Sequence, residues 1–341
     1  MRRPTHHYDE DDIRVRPGRR KSRPRSKQRP DHEDASQGMV VAVDRGRFTV
    51  ELGAEQGGRE VFAVKARELG RKGLTIGDAV ALVGNLAGGP DALARIIRRH
   101  PRRTVLRRTA DDTDPVERVV VANADQLAIV VSLANPEPQP RLIDRALVAA
   151  YDGGLTPLLV LTKRDLADPD PLLASYRPLG VTSVAVRRDG DLDELLGYLA
   201  GKVTALLGTS GVGKSTLVNA LVPDADRSTG RVNVVTGRGR HTSTSAVALR
   251  LPQGGWVVDT PGIRSFGLAH VDVGRFMHAF PDLEAGVGAC PRGCTHDVDH
   301  CALDAYVAAG HAPRARLESL RRLLSSRTVD VGGEEPGAGR D

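Results

Sequence analysis

Five short apolar runs punctuate the first third of the chain, at Met39–Val43, Arg47–Leu52, Glu60–Val64, Ala79–Val83 and Ala94–Ile97. Gly46, Gly53, Gly57 and Gly58 separate several of them. Short, glycine-punctuated runs of this kind predict strands, and so many within one small segment predict an antiparallel barrel of the OB type. Phe48 and Phe62 alternate like core residues, so no aromatic stacking platform is expected. Binding on this barrel would rest on Lys65, Arg67, Arg71, Lys72 and the Arg98-Arg99 pair, or the barrel is structural with basic loops.

Past a charged linker from Pro101 to Pro115 the texture changes. Leu127–Ser132 is a continuous apolar run, as a strand buried on both faces requires. Ile143–Tyr151 reads as helix, Pro157–Leu161 as strand, Leu192–Leu199 as helix, Val203–Leu207 as strand and Ser215–Leu221 as helix. Val247–Leu251 and Trp256–Val258 supply further strands. Alternation of this kind predicts a doubly wound α/β sheet with its ligand at the strand carboxyl ends. From Val271 to Arg327 the pattern is helical, and Leu317, Leu320, Leu323 and Leu324 share one face.

The ends differ from the rest. An acidic patch at Asp9-Glu10-Asp11-Asp12 precedes a basic run from Arg14 to Arg29 with almost no hydrophobic residues, so nothing there can offset the entropy of ordering. This arm binds RNA or merely solubilises the chain. The expected organisation is a disordered basic arm (1–36), a barrel (37–103), an α/β domain (104–270), a helical domain (271–328) and a flexible tail (329–341).

The chain has 341 residues, a formal net charge of +6 and a pI near 9.5. A mildly basic balance is compatible with a nucleic-acid partner or with a solvated basic surface. No apolar run is long enough to span a bilayer, and no apolar stretch follows the first arginines, so a cytoplasmic protein without a secretory signal is expected.

Gly208-Thr209-Ser210-Gly211-Val212-Gly213-Lys214-Ser215 matches the phosphate-loop pattern between a strand and a helix, followed by Thr216. The glycines let backbone N–H groups face phosphate oxygens, Lys214 reaches the β- and γ-phosphates, and the Ser215 hydroxyl ligates Mg²⁺. Asp259 ends an apolar run like the acidic residue of a Walker B strand, its carboxylate holding Mg²⁺ through water, and Gly262 would offer an N–H to the γ-phosphate. Ile263 stands where many GTPases carry a water-orienting glutamine, so the catalytic group must come from elsewhere. The polar stretch Gly237–Thr244 reads as a switch loop. Thr242, or else Thr244, would complete the magnesium shell; His241 either positions the attacking water or is an exposed loop histidine.

Thr162-Lys163-Arg164-Asp165 departs from Asn-Lys-x-Asp. Asp165 would accept from N1–H and the exocyclic amine of guanine, donors that adenine lacks there, while Lys163 packs its stem over the base. Thr162 is shorter than asparagine, which predicts a weakened base or phosphate-loop contact. This base reader precedes the phosphate loop, the reverse of the ordinary GTPase order, and implies a circular permutation. Cys290-x3-Cys294-x-His296-x4-Cys301 offers three thiolates and an imidazole, a tetrahedral structural zinc set, with His300 as an alternative ligand.

Over about residues 38–325 these features together resemble the RsgA/YjeQ family of small ribosomal subunit biogenesis GTPases. The barrel, the Val121–Gln126 segment, the permuted order, Gly-Arg-His-Thr before Asp-Thr-Pro-Gly-Ile-Arg-Ser-Phe-Gly, and the Cys/His cluster carry the resemblance. It implies an OB-fold, a permuted GTPase and a C-terminal mainly helical zinc domain. It also implies GTP/GDP, Mg²⁺ and one structural Zn²⁺ as cofactors, and late maturation of the small subunit with its rRNA as partner. Catalysis would fall to His241 with Lys214, in a monomeric protein. Thr162 for asparagine, Ala185-Val186 where a Ser-Ala base contact is usual, shorter cluster gaps and the long basic arm depart from the family pattern. The other readings are an RNA-binding protein whose affinity nucleotide merely tunes, and an ATP-using phosphate-loop enzyme.

Overall fold

The computed structural model describes residues 34–53, 58–70, 73–89, 92–108, 118–223, 246–260, 276–298 and 301–326. Five strands form the barrel: β1 (Ser36–Asp44), β2 (Arg47–Leu52), β3 (Glu60–Lys65), β4 (Ala79–Gly84) and β5 (Leu93–Arg99). Their order is β1-β2-β3-β5-β4, and β4 pairs back onto β1, so the barrel closes. Alternate residues Val50, Leu52, Val61, Ala63, Val80, Leu82, Ala94 and Ile96 fill its interior. All pairings but one are antiparallel; β3 runs parallel to β5. The parallel pair follows from closure, because the chain crosses the barrel after β3 to lay β4 beside β1, and β5 then returns between β3 and β4. Phe62 is half-buried outside the barrel's core, between Val61 and Ala63, which point inward.

The segment expected as linker, Pro101 to Pro115, holds the first strand of a small two-stranded sheet whose second strand follows it. β6 (Val105–Arg108) pairs antiparallel with β7 (Arg118–Ala122). Leu106 and Val121 are fully buried there. Its arginines masked the strand pattern in the sequence.

The α/β unit follows, with β8 (Gln126–Ser132), α1 (Pro140–Asp152), β9 (Thr156–Thr162), α2 (Asp170–Tyr176), β10 (Thr182–Ala185), α3 (Asp193–Leu199), β11 (Val203–Leu207) and α4 (Lys214–Leu221). β12 (Val247–Arg250) and β13 (Trp256–Asp259) complete the sheet in the order β10-β9-β8-β11-β13-β12. Every residue of β8 is buried, as its unbroken apolar run requires at a sheet centre. Only β12 runs antiparallel to its neighbour within this unit, and Ala42↔Val247 joins it to β1 of the barrel. Leu195, Leu199, Leu217, Val218 and Leu221 of α3 and α4 cover one face.

The other face is shared. Ile143, Leu147 and Ala150 of α1 lie in one core with Phe276, Phe280, Leu317, Leu320, Leu323 and Leu324. The last four belong to α7 (Arg314–Ser325); Phe280 precedes α5 (Pro281–Glu284), and α6 (Ala302–Ala308) lies between the two helices. The Cys/His stretch between α5 and α6 is loop and a short 3-10 turn rather than continuous helix. Gly286, Gly288, Pro291 and Gly293 there break helical periodicity. Among the described residues, no helix is long and apolar enough to cross a membrane.

Candidate nucleotide and metal sites

β11 delivers the phosphate-binding loop and β9 delivers the base reader, with β8 between them. Gly208 fits only as glycine, since a Cβ there would come 2.8 Å from the Val130 carbonyl and 2.9 Å from Val212. Gly211 and Gly213 have φ of 83° and 91°, which L side chains rarely adopt. The loop is thus a cradle whose backbone can approach an anion, with α4 beginning directly behind it at Lys214.

The two motifs touch. Thr162 Oγ1 donates to the Val212 carbonyl at 2.6 Å, and the Lys163 ammonium donates to the Gly211 carbonyl at 3.0 Å. Lys163 also reaches the Asn135 carbonyl on the β8–α1 loop. At Thr162, where a weakened base or phosphate-loop contact is expected, the hydroxyl at this strand end reaches the loop carbonyl without an amide. Arg164 and Asp165 follow on an exposed turn closed by Leu166 N–H donating to the Lys163 carbonyl at 2.9 Å. Arg164 N–H donates to the Val186 carbonyl at 3.2 Å. That bond brings the Ala185-Val186-Arg187 stretch, which stands where a Ser-Ala base contact is usual, alongside the expected base reader.

At the other end of the cradle, the Lys214 ammonium pairs with the Asp259 carboxylate. Thr260, buried, donates to the Leu206 carbonyl at 2.5 Å and pins the end of β13 to β11. Ser210, Ser215 and Thr216 are exposed on the same edge, and Thr209 is half-buried. A triphosphate along this edge would meet backbone N–H groups, an ammonium and three exposed hydroxyls, while Ser215 and Asp259 offer oxygens of the type magnesium prefers. His241, Thr242, Thr244, Gly262 and Ile263 lie outside the described residues, as do residues 1–33 of the expected basic arm and the tail; Ser36, expected in the arm, already begins β1.

Cys290, Cys294, His296 and Cys301 converge on the loop between α5 and α6, and their ligand atoms all lie within 4.8 Å of one another. Cys290 Sγ is 3.6 Å from Cys301 Sγ and 3.6 Å from His296 Nδ1, and Cys294 Sγ is 3.8 Å from Cys301 Sγ. Tetrahedral zinc with Zn–S near 2.3 Å sets sulfur–sulfur edges of about 3.8 Å, so the set fits the ion. Burial holds the His296 imidazole below its usual pKa and therefore neutral, the form that ligates a metal. Burial likewise pushes the Cys301 thiol up to about 12, a penalty that a bound cation removes. Arg321 of α7 braces the loop, donating to the His296 carbonyl at 3.1 Å and forking onto Asp304 at 2.8 Å through each arm. His300 is outside the described residues.

The helical unit docks on the α/β unit through two arginines of α7. Arg316 grips Asp282 at 3.0 Å, stacks 4.7 Å over the Phe280 ring and donates to the Pro178 carbonyl at 3.1 Å. Arg322 pairs with Asp144 of α1 at 3.2 Å, lies 5.0 Å over Tyr176 and donates to the Ser175 carbonyl at 3.1 Å. Burial pushes the Asp144 carboxyl up, and the Arg322 guanidinium offsets this only in part. Nothing in the sequence pattern marked these charges as interior.

The sequence profile of the RsgA GTPase family matches residues 99–269. The small ribosomal subunit biogenesis GTPase RsgA of Pseudomonas savastanoi pv. phaseolicola is 36% identical over 303 residues, covering 86% of each chain. The protein of the same name from Pseudomonas aeruginosa is 41% identical over 248 residues, covering 70% of this chain and 72% of its own. Among solved structures, YjeQ from Thermotoga maritima superposes with a TM-score of 0.63 at 28% identity over 86% of this chain and 98% of its own. YloQ, described as a circularly permuted GTPase, matches with a TM-score of 0.62 at 22% identity over 88% of this chain and 97% of its own, which speaks to the fold.

Proposed function

The chain belongs to the RsgA GTPase family, and from that premise we propose that it hydrolyses GTP to GDP and phosphate as a factor in biogenesis of the small ribosomal subunit. The observation that carries the nucleotide reading is the contact of Thr162 and Lys163 with Val212 and Gly211. A base reader and a phosphate cradle held by direct hydrogen bonds can embrace one nucleotide despite their inverted order in the chain.

In this reading Asp165 selects guanine, with Thr162, Lys163 and Arg164 setting the base-side loop. Gly208, Thr209, Ser210, Gly211, Val212 and Gly213 wrap the phosphates, and Lys214 leaves Asp259 to meet the β- and γ-oxygens. Ser215 and Asp259 would hold Mg²⁺, joined by Thr242; the ion, when bound, neutralises phosphate charge. Gly262 would sense the γ-phosphate and His241 would orient the attacking water, because Ile263 cannot. The zinc unit and the barrel would contact the subunit and its rRNA, with release after hydrolysis, late in maturation, by a monomer in the cytoplasm.

Competition between GDP and ADP for the purified chain tests the base assignment. GDP should win by orders of magnitude, and Asp165→Ala should erase the preference; an unchanged preference in that variant would refute the role of Asp165.

A further inference from the structure

Between the barrel and the α/β unit lies a cleft of about 430 Å³ lined by Arg99, Arg102, Arg103 and Arg107, with Asp152 and Gly153 at its far wall. The sequence concentrates the charge: Arg98, Arg99, Arg102, Arg103, Arg107 and Arg108 fall in one stretch that contains no acidic residue. We propose that this cleft holds the sugar–phosphate backbone of an RNA strand, a site that rests on the ribosomal reading above and gives it a location.

The geometry fixes cations at the wall. Asp78, fully buried, takes Arg102 in a fork, Nε to Oδ1 at 2.7 Å and an arm nitrogen to Oδ2 at 2.9 Å. The Gly73 carbonyl accepts from both Arg99 at 3.0 Å and Arg102 at 3.3 Å. Two guanidinium groups are thus preset in orientation before any ligand arrives, which lowers the entropy cost of binding. Arg103 is different. It is 71% exposed, with Asp125 at 3.5 Å, and can swing onto an incoming group. Asp152 in the lining and Asp78 and Asp125 behind it offset part of the charge of the four lining arginines.

The opposite wall is equally fixed. Val105 N–H donates to the Gly153 carbonyl at 3.1 Å, and a Cβ on Gly153 would lie 2.2 Å from the Val105 carbonyl. β6 and the end of α1 therefore meet at a spacing that only glycine permits, and the cleft keeps its width.

Three features choose the ligand class. The volume suits a nucleotide-sized group. The Arg102 fork is taken by Asp78, so pairing with phosphate oxygens falls first to the exposed Arg103 guanidinium. Among the described residues no aromatic side chain lines the cleft and Val105 is the one apolar side chain, so they offer neither base stacking nor a hydrophobic anchor for a protein partner. Contacts of this kind hold RNA in register without reading its sequence.

The test uses the full-length protein carrying Arg103→Ala with Arg107→Ala, and separately Arg103→Glu. Affinity for purified small subunits and for protein-free rRNA is measured across a salt series, with thermal unfolding as the folding control. The double variant should unfold at the wild-type temperature, bind both more weakly, and show a salt slope lower by about one per arginine removed. Arg103→Glu should weaken binding further. Inorganic phosphate at millimolar levels should compete only as general salt does. Equal affinity and slope in wild type and variants, with wild type binding well, would overturn the cleft while leaving the ribosomal reading intact. Weaker binding to subunits with unchanged binding to rRNA would reassign the cleft to a protein partner and also overturn it. Failure of the wild type to bind subunits at all would sink the ribosomal reading first.

Discussion

Thr162 donates its hydroxyl proton to the carbonyl of Val212 at 2.6 Å, across 50 residues of sequence. The bond ties the end of β9 to the turn of the phosphate cradle. It joins the motif expected to read the base to the loop expected to hold phosphate, although the chain carries them in reverse of the ordinary order.

Removing that hydroxyl should loosen nucleotide binding. Thr162→Val keeps the shape but leaves the buried carbonyl short of a donor, a loss of about 0.5–1.5 kcal/mol. GDP affinity, read with a fluorescent analogue, should fall about three- to tenfold. Wild-type affinity in this variant would mean the strut contributes nothing to the site.

Lys214 should be indispensable for turnover. With Lys214→Ala the phosphates lose their ammonium and Asp259 loses its partner. Hydrolysis, followed as phosphate release, should drop by at least about a hundredfold, in line with the loss of a transition-state electrostatic group. Retained turnover would exclude the cradle as the reacting site.

These outcomes separate what the sequence made legible from what it hid. The cradle and the Cys/His cluster were readable because their chemistry demands fixed spacing within a short stretch. The Thr162–Val212 bond was not, since it depends on which strands become neighbours. The β6–β7 sheet escaped notice because arginines at Arg107, Arg108 and Arg118 hide the apolar alternation around Leu106 and Val121. The parallel β3–β5 pair is set by barrel closure, which no local pattern encodes. Asp144 and Arg322 read as surface charges in helices until α7 is docked on α1.

The zinc site should be stoichiometric and structural. Elemental analysis should find one zinc per chain, and Cys301→Ser or a strong chelator should remove it and lower the thermal midpoint of the helical unit. A chain that is metal-free as purified and equally stable would contradict the tetrahedral assignment.

The docked pair should matter more than an exposed ion pair does. Asp144→Ala leaves Arg322 without its partner at a seam where the Asp144 side chain is 5% exposed and Arg322 is 36% exposed. Breaking a wholly buried pair costs about 3–5 kcal/mol; partial exposure of Arg322 brings the expected loss here to about 2 kcal/mol. Urea unfolding measures it, and a change below about 0.5 kcal/mol would mean the pair is merely incidental to docking.

The most direct test of the central claim is GTP hydrolysis by the purified chain with and without small ribosomal subunits, with ATP in parallel. Slow turnover of GTP alone, strong stimulation by the subunits and no hydrolysis of ATP are predicted. Equal use of ATP, or GTP turnover indifferent to the subunits, would contradict the account.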